Sequence, residues 1–217
     1  MQVLIVGSGG REHALAWKIK QSPLVKKLFA SPGNAGIAQL AECHPELKTP
    51  EDLVNFALKH RIDLTVVGPE QPLVNGIVNL FQQYKLPIFG PVKEAAQIEG
   101  SKIFAKKLML ENGIPTAKAA FFSNYESALA YLKKQQPPYV IKADGLAAGK
   151  GVTVAQSLKE AEQALADCFL NNKFGLAGKK VLVEEFLAGE ELSVLAFVAG
   201  EMVVPMVAAQ DYKRLQD

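Results

Sequence analysis

From Gln2 to Phe89 the chain repeats one unit: a short apolar run, a glycine-bearing turn, then a helical pattern. The runs are Gln2–Val6, Lys27–Ala30, Asp63–Val67 and Leu86–Phe89. A run such as QVLIV has no polar alternation, so both of its faces are expected to be buried, as in a parallel sheet. The helical patterns lie between the runs. Arg11 to Lys20 places Leu15 and Ile19 four apart on one face. Thr49-Pro50-Glu51-Asp52 opens a helix to His60, with Thr49 as cap, Pro50 in the first turn and Asp52 closing a capping box. A third helix is expected from Glu70 to Tyr84. Strands alternating with helices predict a doubly wound parallel sheet. Ligands of such sheets sit at the carboxyl ends of strands. Here those ends carry Gly7–Arg11, Ser31–Gly36 and Gly68–Glu70.

The pattern changes near residue 100. Gly100-Ser101-Lys102 starts a helix that stops at Asn112-Gly113, with Gly113 suited to a left-handed C-terminal position. Ser123-Asn124-Tyr125-Glu126 and Ser157-Leu158-Lys159-Glu160 both read as capping boxes. Strands are expected at Tyr139–Lys142, Val152–Ala155, Lys180–Glu184, Leu192–Val198 and Met202–Ala208. This is the pattern of an α+β domain with antiparallel strands. The expected division is 1–100 for the parallel domain and 101–217 for the second.

Bulk properties narrow the function. With 217 residues, 49% hydrophobic, there is enough apolar material for one large or two smaller cores. A net charge of +2 without a basic cluster does not point to nucleic acid. No apolar run has the length of a membrane span, and MQVLIVGSGG lacks the features of a secretory leader. The expected location is therefore the cytoplasm. Cys43 and Cys168 stand alone, which argues against a disulfide framework. Cys43-His44 lacks the second ligand pair of a zinc site.

Gly7-Ser8-Gly9-Gly10-Arg11-Glu12 comes close to the dinucleotide fingerprint but has Glu12 where the third glycine belongs, and the second run ends without a ribose-binding acid. A nicotinamide site is disfavoured on both counts. The loop still offers bare backbone N–H groups at a helix start, with Arg11 alongside, which suits a phosphate. A second anion loop lies at Lys142-Ala143-Asp144-Gly145-Leu146-Ala147-Ala148-Gly149-Lys150-Gly151. Small residues let the backbone close over a polyphosphate and the lysines supply charge. No helix with Ser or Thr follows Lys150, so a hairpin flap fits better than a helix-start cradle. Val183-Glu184-Glu185-Phe186-Leu187 can present backbone groups to an adenine edge, and an acid shortly after can accept from ribose hydroxyls.

Taken together, GSGGREHALAW, SPGNAG, VVGPEQPLV, EGSK, IKADGLAAGKGV, VEEFLAGEE and QDYKR resemble the phosphoribosylamine–glycine ligases of the ATP-grasp superfamily over essentially the whole chain. The resemblance implies a biotin-carboxylase-like N-terminal domain and an incomplete ATP-grasp domain, with 120–188 as its mobile ATP-binding lid. It implies that glycine and 5-phosphoribosylamine are joined at the expense of ATP, through glycyl phosphate. The alternatives are another ATP-grasp ligase or carboxylase, or a fragment that binds nucleotide or sugar phosphate without turnover. By position, Lys102 and Lys142 are expected at the ATP phosphates, with Gly149, Lys150 and Gly151 in the flap. Glu184, Glu185 and Leu187 are expected to frame adenine, and Glu191 to bind ribose. Gly9, Gly10, Arg11, Asn34, Ala35 and Glu70 are expected on the phosphoribosylamine side, joined by Asp211, Lys213 and Arg214. Family members continue beyond this length, so the ligands for Mg2+ or Mn2+ and the glycine site are expected past Asp217. The expected assembly is a monomer or weak homodimer.

Overall fold

The protein is described from a computed structural model, in which residues 1–147 and 149–210 are described. Asp211, Lys213 and Arg214 lie outside the described residues. In chain order the first layer runs β1 (Gln2–Gly7), α1 (Gly10–Lys20), β2 (Lys27–Pro32), β3 (Glu42–Cys43), α2 (Pro50–His60), β4 (Leu64–Val67), α3 (Glu70–Val74), α4 (Ile77–Gln83) and β5 (Ile88–Phe89). Two helices follow, α5 (Lys93–Gly100) and α6 (Lys102–Glu111). The second layer holds β6 (Ala119–Phe122), α7 (Tyr125–Leu132), β7 (Tyr139–Ala143), β8 (Val152–Ala155), α8 (Leu158–Phe169) and β9 (Val181–Glu185). A ribbon of β10 (Ala196–Ala199) and β11 (Met202–Pro205) ends the described chain.

The first sheet is parallel, in the order β3-β2-β1-β4-β5. β1 explains why its sequence is uninterrupted. Leu4 and Val6 pack with Phe29, Val54 and Phe81 on one face, while Val3 and Ile5 pack with Ala16, Ala30 and Ile37 on the other. Each fully buried side chain of this size contributes roughly 1.5–3 kcal/mol. The chain turns outward in opposite directions from β1 and β4, so the loops after these two strands border the crevice where such sheets bind ligands.

Local differences from the sequence expectation have local causes. Leu15 is not on the inner face of α1: it is exposed, and Glu12 and Ala16 are buried instead. The expected helix from Glu70 to Tyr84 is two helices, because Gly76 sits at φ 94° and breaks it. Asn124, not Ser123, caps α7, its side chain accepting from the Ser127 N–H at 2.9 Å. β3, α5 and β6 are additional elements; β3 and β6 are too short or too weakly patterned to stand out in the sequence. Thr49 and Asp52 do form the expected box, at 3.1 and 2.9 Å.

The second sheet is antiparallel, in the order β6-β9-β7-β8. Tyr139, Ile141, Ala143, Val181 and Val183 face α7 and α8 in a separate core with Leu132 and Leu165. Alternation then directs Lys142 and Glu184 to the opposite face, towards α6. β7 and β8 form the expected hairpin, with Lys142 opposite Val152.

Candidate functional site

The three carboxyl-end loops of the first sheet meet. The Gly33 N–H donates to the Gly7 carbonyl at 3.2 Å and the Gly68 N–H to the Val6 carbonyl at 3.0 Å. Asn34 Nδ2 donates to the Ser8 carbonyl at 2.7 Å, while its Oδ1 accepts from the Ile37 N–H at 2.8 Å. Asn34 therefore tethers two loops. Ala35 beside it is exposed. These loops border a cavity of about 570 Å³ lined by residues including Gly7, Ser8, Gly9, Ser31 and Pro32. Gly9 and Gly10 stand at the start of α1, where the first-turn N–H groups have no partner within the helix.

Glu12, in the place of a third glycine, folds back into this turn. Its Oε2 accepts from the Gly9 N–H at 2.6 Å. Its side chain takes up the space beside Gly7 and Gly68: a Cβ on Gly7 would come 2.5 Å from the Glu12 Cγ. Glycine at these strand ends thus makes room for a buried carboxylate. Its other oxygen, Oε1, is buried without a hydrogen-bond partner among the described residues.

A second cleft, of about 550 Å³, is shared by the two halves of the chain. Arg11, Glu70 and Gln71 line one wall; Lys102, Gly145, Gly149 and Gly151 line the other. Arg11 Nη1 lies 2.7 Å from Glu70 Oε1. That hydrogen bond holds the Glu70 carboxyl below its ordinary range and raises the guanidinium. Lys102 Nζ donates to the carbonyls of Ala143 (3.1 Å) and Gly145 (2.7 Å). Burial pushes its pKa down, against the opposing charges of Glu99 and Asp144. Asp144 ties the flap loop to α6: its Oδ1 accepts from Ser101 Oγ at 2.9 Å and from the Ile103 N–H at 3.1 Å. Lys150 is exposed on the same loop.

Lys142 does not line this cleft. Its Nζ lies 2.5 Å from Glu184 Oε2, and Glu184 Oε1 lies 2.9 Å from Lys106 Nζ. Burial raises the Glu184 carboxyl, but the hydrogen bonds from Lys142 and Lys106 outweigh it and leave the group below its ordinary value. Glu184 and Glu185 border a third cavity, of about 390 Å³, with Lys118, Tyr139 and Phe186. Glu185 Oε1 accepts from the Lys118 N–H at 2.8 Å. Leu187 and Glu191 are exposed on the segment after β9. Among the described residues, no group of three or more His, Cys, Asp or Glu is placed to hold a metal ion.

The sequence reading gave no role to Lys106, to Asp144 within the flap loop, or to Glu12 beyond its standing in the place of a third glycine. Lys106 did carry a signal, since it stands four residues after Lys102 and so shares its helix face.

A parallel α/β layer facing an antiparallel sheet with a lysine and glycine flap defines an ATP-grasp protein. Residues 100–217 match the family model described as "Phosphoribosylglycinamide synthetase, ATP-grasp (A) domain". Residues 1–99 match "Phosphoribosylglycinamide synthetase, N domain", and the chain belongs to the phosphoribosylglycinamide synthetase family. It is 54% identical over 220 residues to a phosphoribosylamine–glycine ligase of Pseudomonas putida, covering 100% of this chain and 51% of that protein. A Fusobacterium nucleatum relative of the same name is 52% identical over 218 residues, with the same coverage. The solved phosphoribosylamine–glycine ligase of Thermotoga maritima is similar at a TM-score of 0.82 and 36% identity, over 99% of this chain and 51% of that one. The chain thus spans about half the length of the curated relatives it matches.

Proposed function

We propose that this chain carries the amino-sugar side and most of the nucleotide side of a phosphoribosylamine–glycine ligase acting in cytoplasmic purine synthesis. A glycine carboxylate oxygen attacks the γ-phosphorus of ATP, giving glycyl phosphate and ADP. The 5-phosphoribosylamine nitrogen then attacks the glycyl carbonyl carbon. Phosphate leaves, the nitrogen loses a proton, and glycinamide ribonucleotide remains. Catalysis of this kind is positioning and charge neutralisation.

The observation that carries the reading is the shared cleft, where Arg11 and Glu70 face Lys102 and the Gly149–Gly151 loop. In this reading the first pair serves the sugar phosphate and the second group the polyphosphate. Gly9, Gly10, Asn34 and Ala35 extend the sugar side; Lys142, Lys150, Glu184, Glu185, Leu187 and Glu191 extend the nucleotide side. The proposed units are 1–100 and 101–217, with 120–188 as the lid. The described acids do not form a cage for Mg2+ or Mn2+, and no step here is routed through the metal.

The test has two parts. In the protein at the length of its relatives, ADP release should require glycine and 5-phosphoribosylamine together. In this chain, ADP and ribose 5-phosphate should both bind. ADP release that ignores either substrate, or a chain that binds neither probe, overturns the reading.

A further inference from the structure

Lys106 is a lysine with almost no access to water, its side chain 3% exposed. It donates to Thr116 Oγ1 at 2.6 Å and the Ala117 carbonyl at 2.9 Å, and lies 2.9 Å from Glu184 Oε1. Three acceptors match the three N–H bonds of an ammonium, so Lys106 has nothing left to give a ligand. Lys142 differs. Its side chain is 27% exposed, and Glu184 is its partner among the described residues. One carboxylate, 8% exposed, thus joins a fixed lysine to a releasable one.

We infer that Lys106 is a positioning residue that frees Lys142 to leave Glu184 for a nucleotide polyphosphate. This rests on the proposed nucleotide site. A buried carboxylate that loses its counter-ion is left with an uncompensated charge, which is strongly unfavourable. With Lys106 in place, Glu184 stays paired when Lys142 departs. Without it, Lys142 becomes the counter-ion that Glu184 cannot release, and nucleotide must compete with that ion pair. Lys106 therefore acts on nucleotide affinity through Glu184, without touching the ligand.

The experiment is calorimetric titration of ADP into the full chain and its variants, with melting temperatures measured alongside. Lys106→Met should weaken ADP binding by about tenfold or more, a typical size for coupling between groups. Adding Glu184→Gln to Lys106→Met should recover most of that loss, because a neutral amide no longer holds Lys142. Lys106→Arg, which keeps the charge, should fall between Lys106→Met and wild type. Should Lys106→Met fail to fold, Lys106→Gln decides: it keeps N–H donors for Thr116 and Ala117 but removes the charge, and should also bind ADP about tenfold more weakly than wild type. The inference is overturned if Lys106→Met, or Lys106→Gln in its place, binds normally, or if the double variant stays as weak as the folded single variant. A wild-type chain that binds no ADP removes the nucleotide site itself, and this inference with it.

Discussion

Arg11 and Lys142 are each held by an acid, and the two acids are in different surroundings. Arg11 is largely in water and Glu70 partly so, and breaking such a screened pair should change stability by no more than about 1 kcal/mol. Arg11→Ala should therefore leave folding intact. It should raise the apparent KM for 5-phosphoribosylamine more than that for ATP; equal rises, or none, would remove Arg11 from the sugar side. Lys142→Ala should have the opposite selectivity, losing about tenfold in ATP affinity, as for a charged hydrogen bond, while ribose 5-phosphate binding stays unchanged. Glu184 adds a pH dependence. Its folded pKa lies below the ordinary 4.5, so its contribution to stability is present above the unfolded value and is lost as pH falls through the folded one. In urea unfolding, wild type should lose stability below about pH 4.5 more steeply than Glu184→Gln. Parallel pH profiles would mean that the pair contributes nothing. The sequence could point to Lys142 as a phosphate ligand because a lysine ending a strand before glycines is a local pattern. It could not show that this lysine rests on Glu184, because that contact depends on the register of β7 against β9 and on a lysine from α6.

Elements were legible wherever one residue type decides the local geometry, and less so where neighbours compete for a role. The Thr49–Asp52 box is a case of the first kind. Ser123 and Asn124 are the second: both are good caps in sequence, and the structure gives the role to Asn124. Asn124→Ala should then cost about 1 kcal/mol, whereas Ser123→Ala should stay within about 0.5 kcal/mol. Chemical denaturation of the two variants checks this directly, and a larger loss for Ser123→Ala would return the cap to Ser123. The same competition explains the first turn of α1. Sequence spacing paired Leu15 with Ile19, yet the buried positions are Glu12 and Ala16. Glu12 is drawn inward by the Gly9 N–H and by the room left at Gly7 and Gly68. A charged residue on a helix's inner face has no periodicity signal, and the missing third glycine was its only trace in the sequence.

At the scale of the molecule, two cores built on different principles meet at one cleft. The parallel layer buries both faces of β1, whereas the antiparallel sheet buries one face under α7 and α8 and turns the other towards α6. Arg11 and Glu70 belong to the first body, and Gly149 and Gly151 to the second, yet they line the same 550 Å³ space. Ligands placed there touch walls that the cores hold separately. With the lid proposed above, the first ligand to bind would bear the cost of ordering the flap against the parallel layer, and the second would be spared it. Such coupling is reciprocal by thermodynamic necessity. ADP should tighten ribose 5-phosphate binding to this chain, and ribose 5-phosphate should tighten ADP binding by the same factor, about fivefold or more. Titrating each probe with and without saturating amounts of the other measures both ratios. Two ratios of one would mean that the walls act independently and that the flap is ordered before any ligand arrives. Equal ratios above one would place the ordering step between the two bodies, where the Asp144 tie to Ser101 and Ile103 already joins the flap to α6.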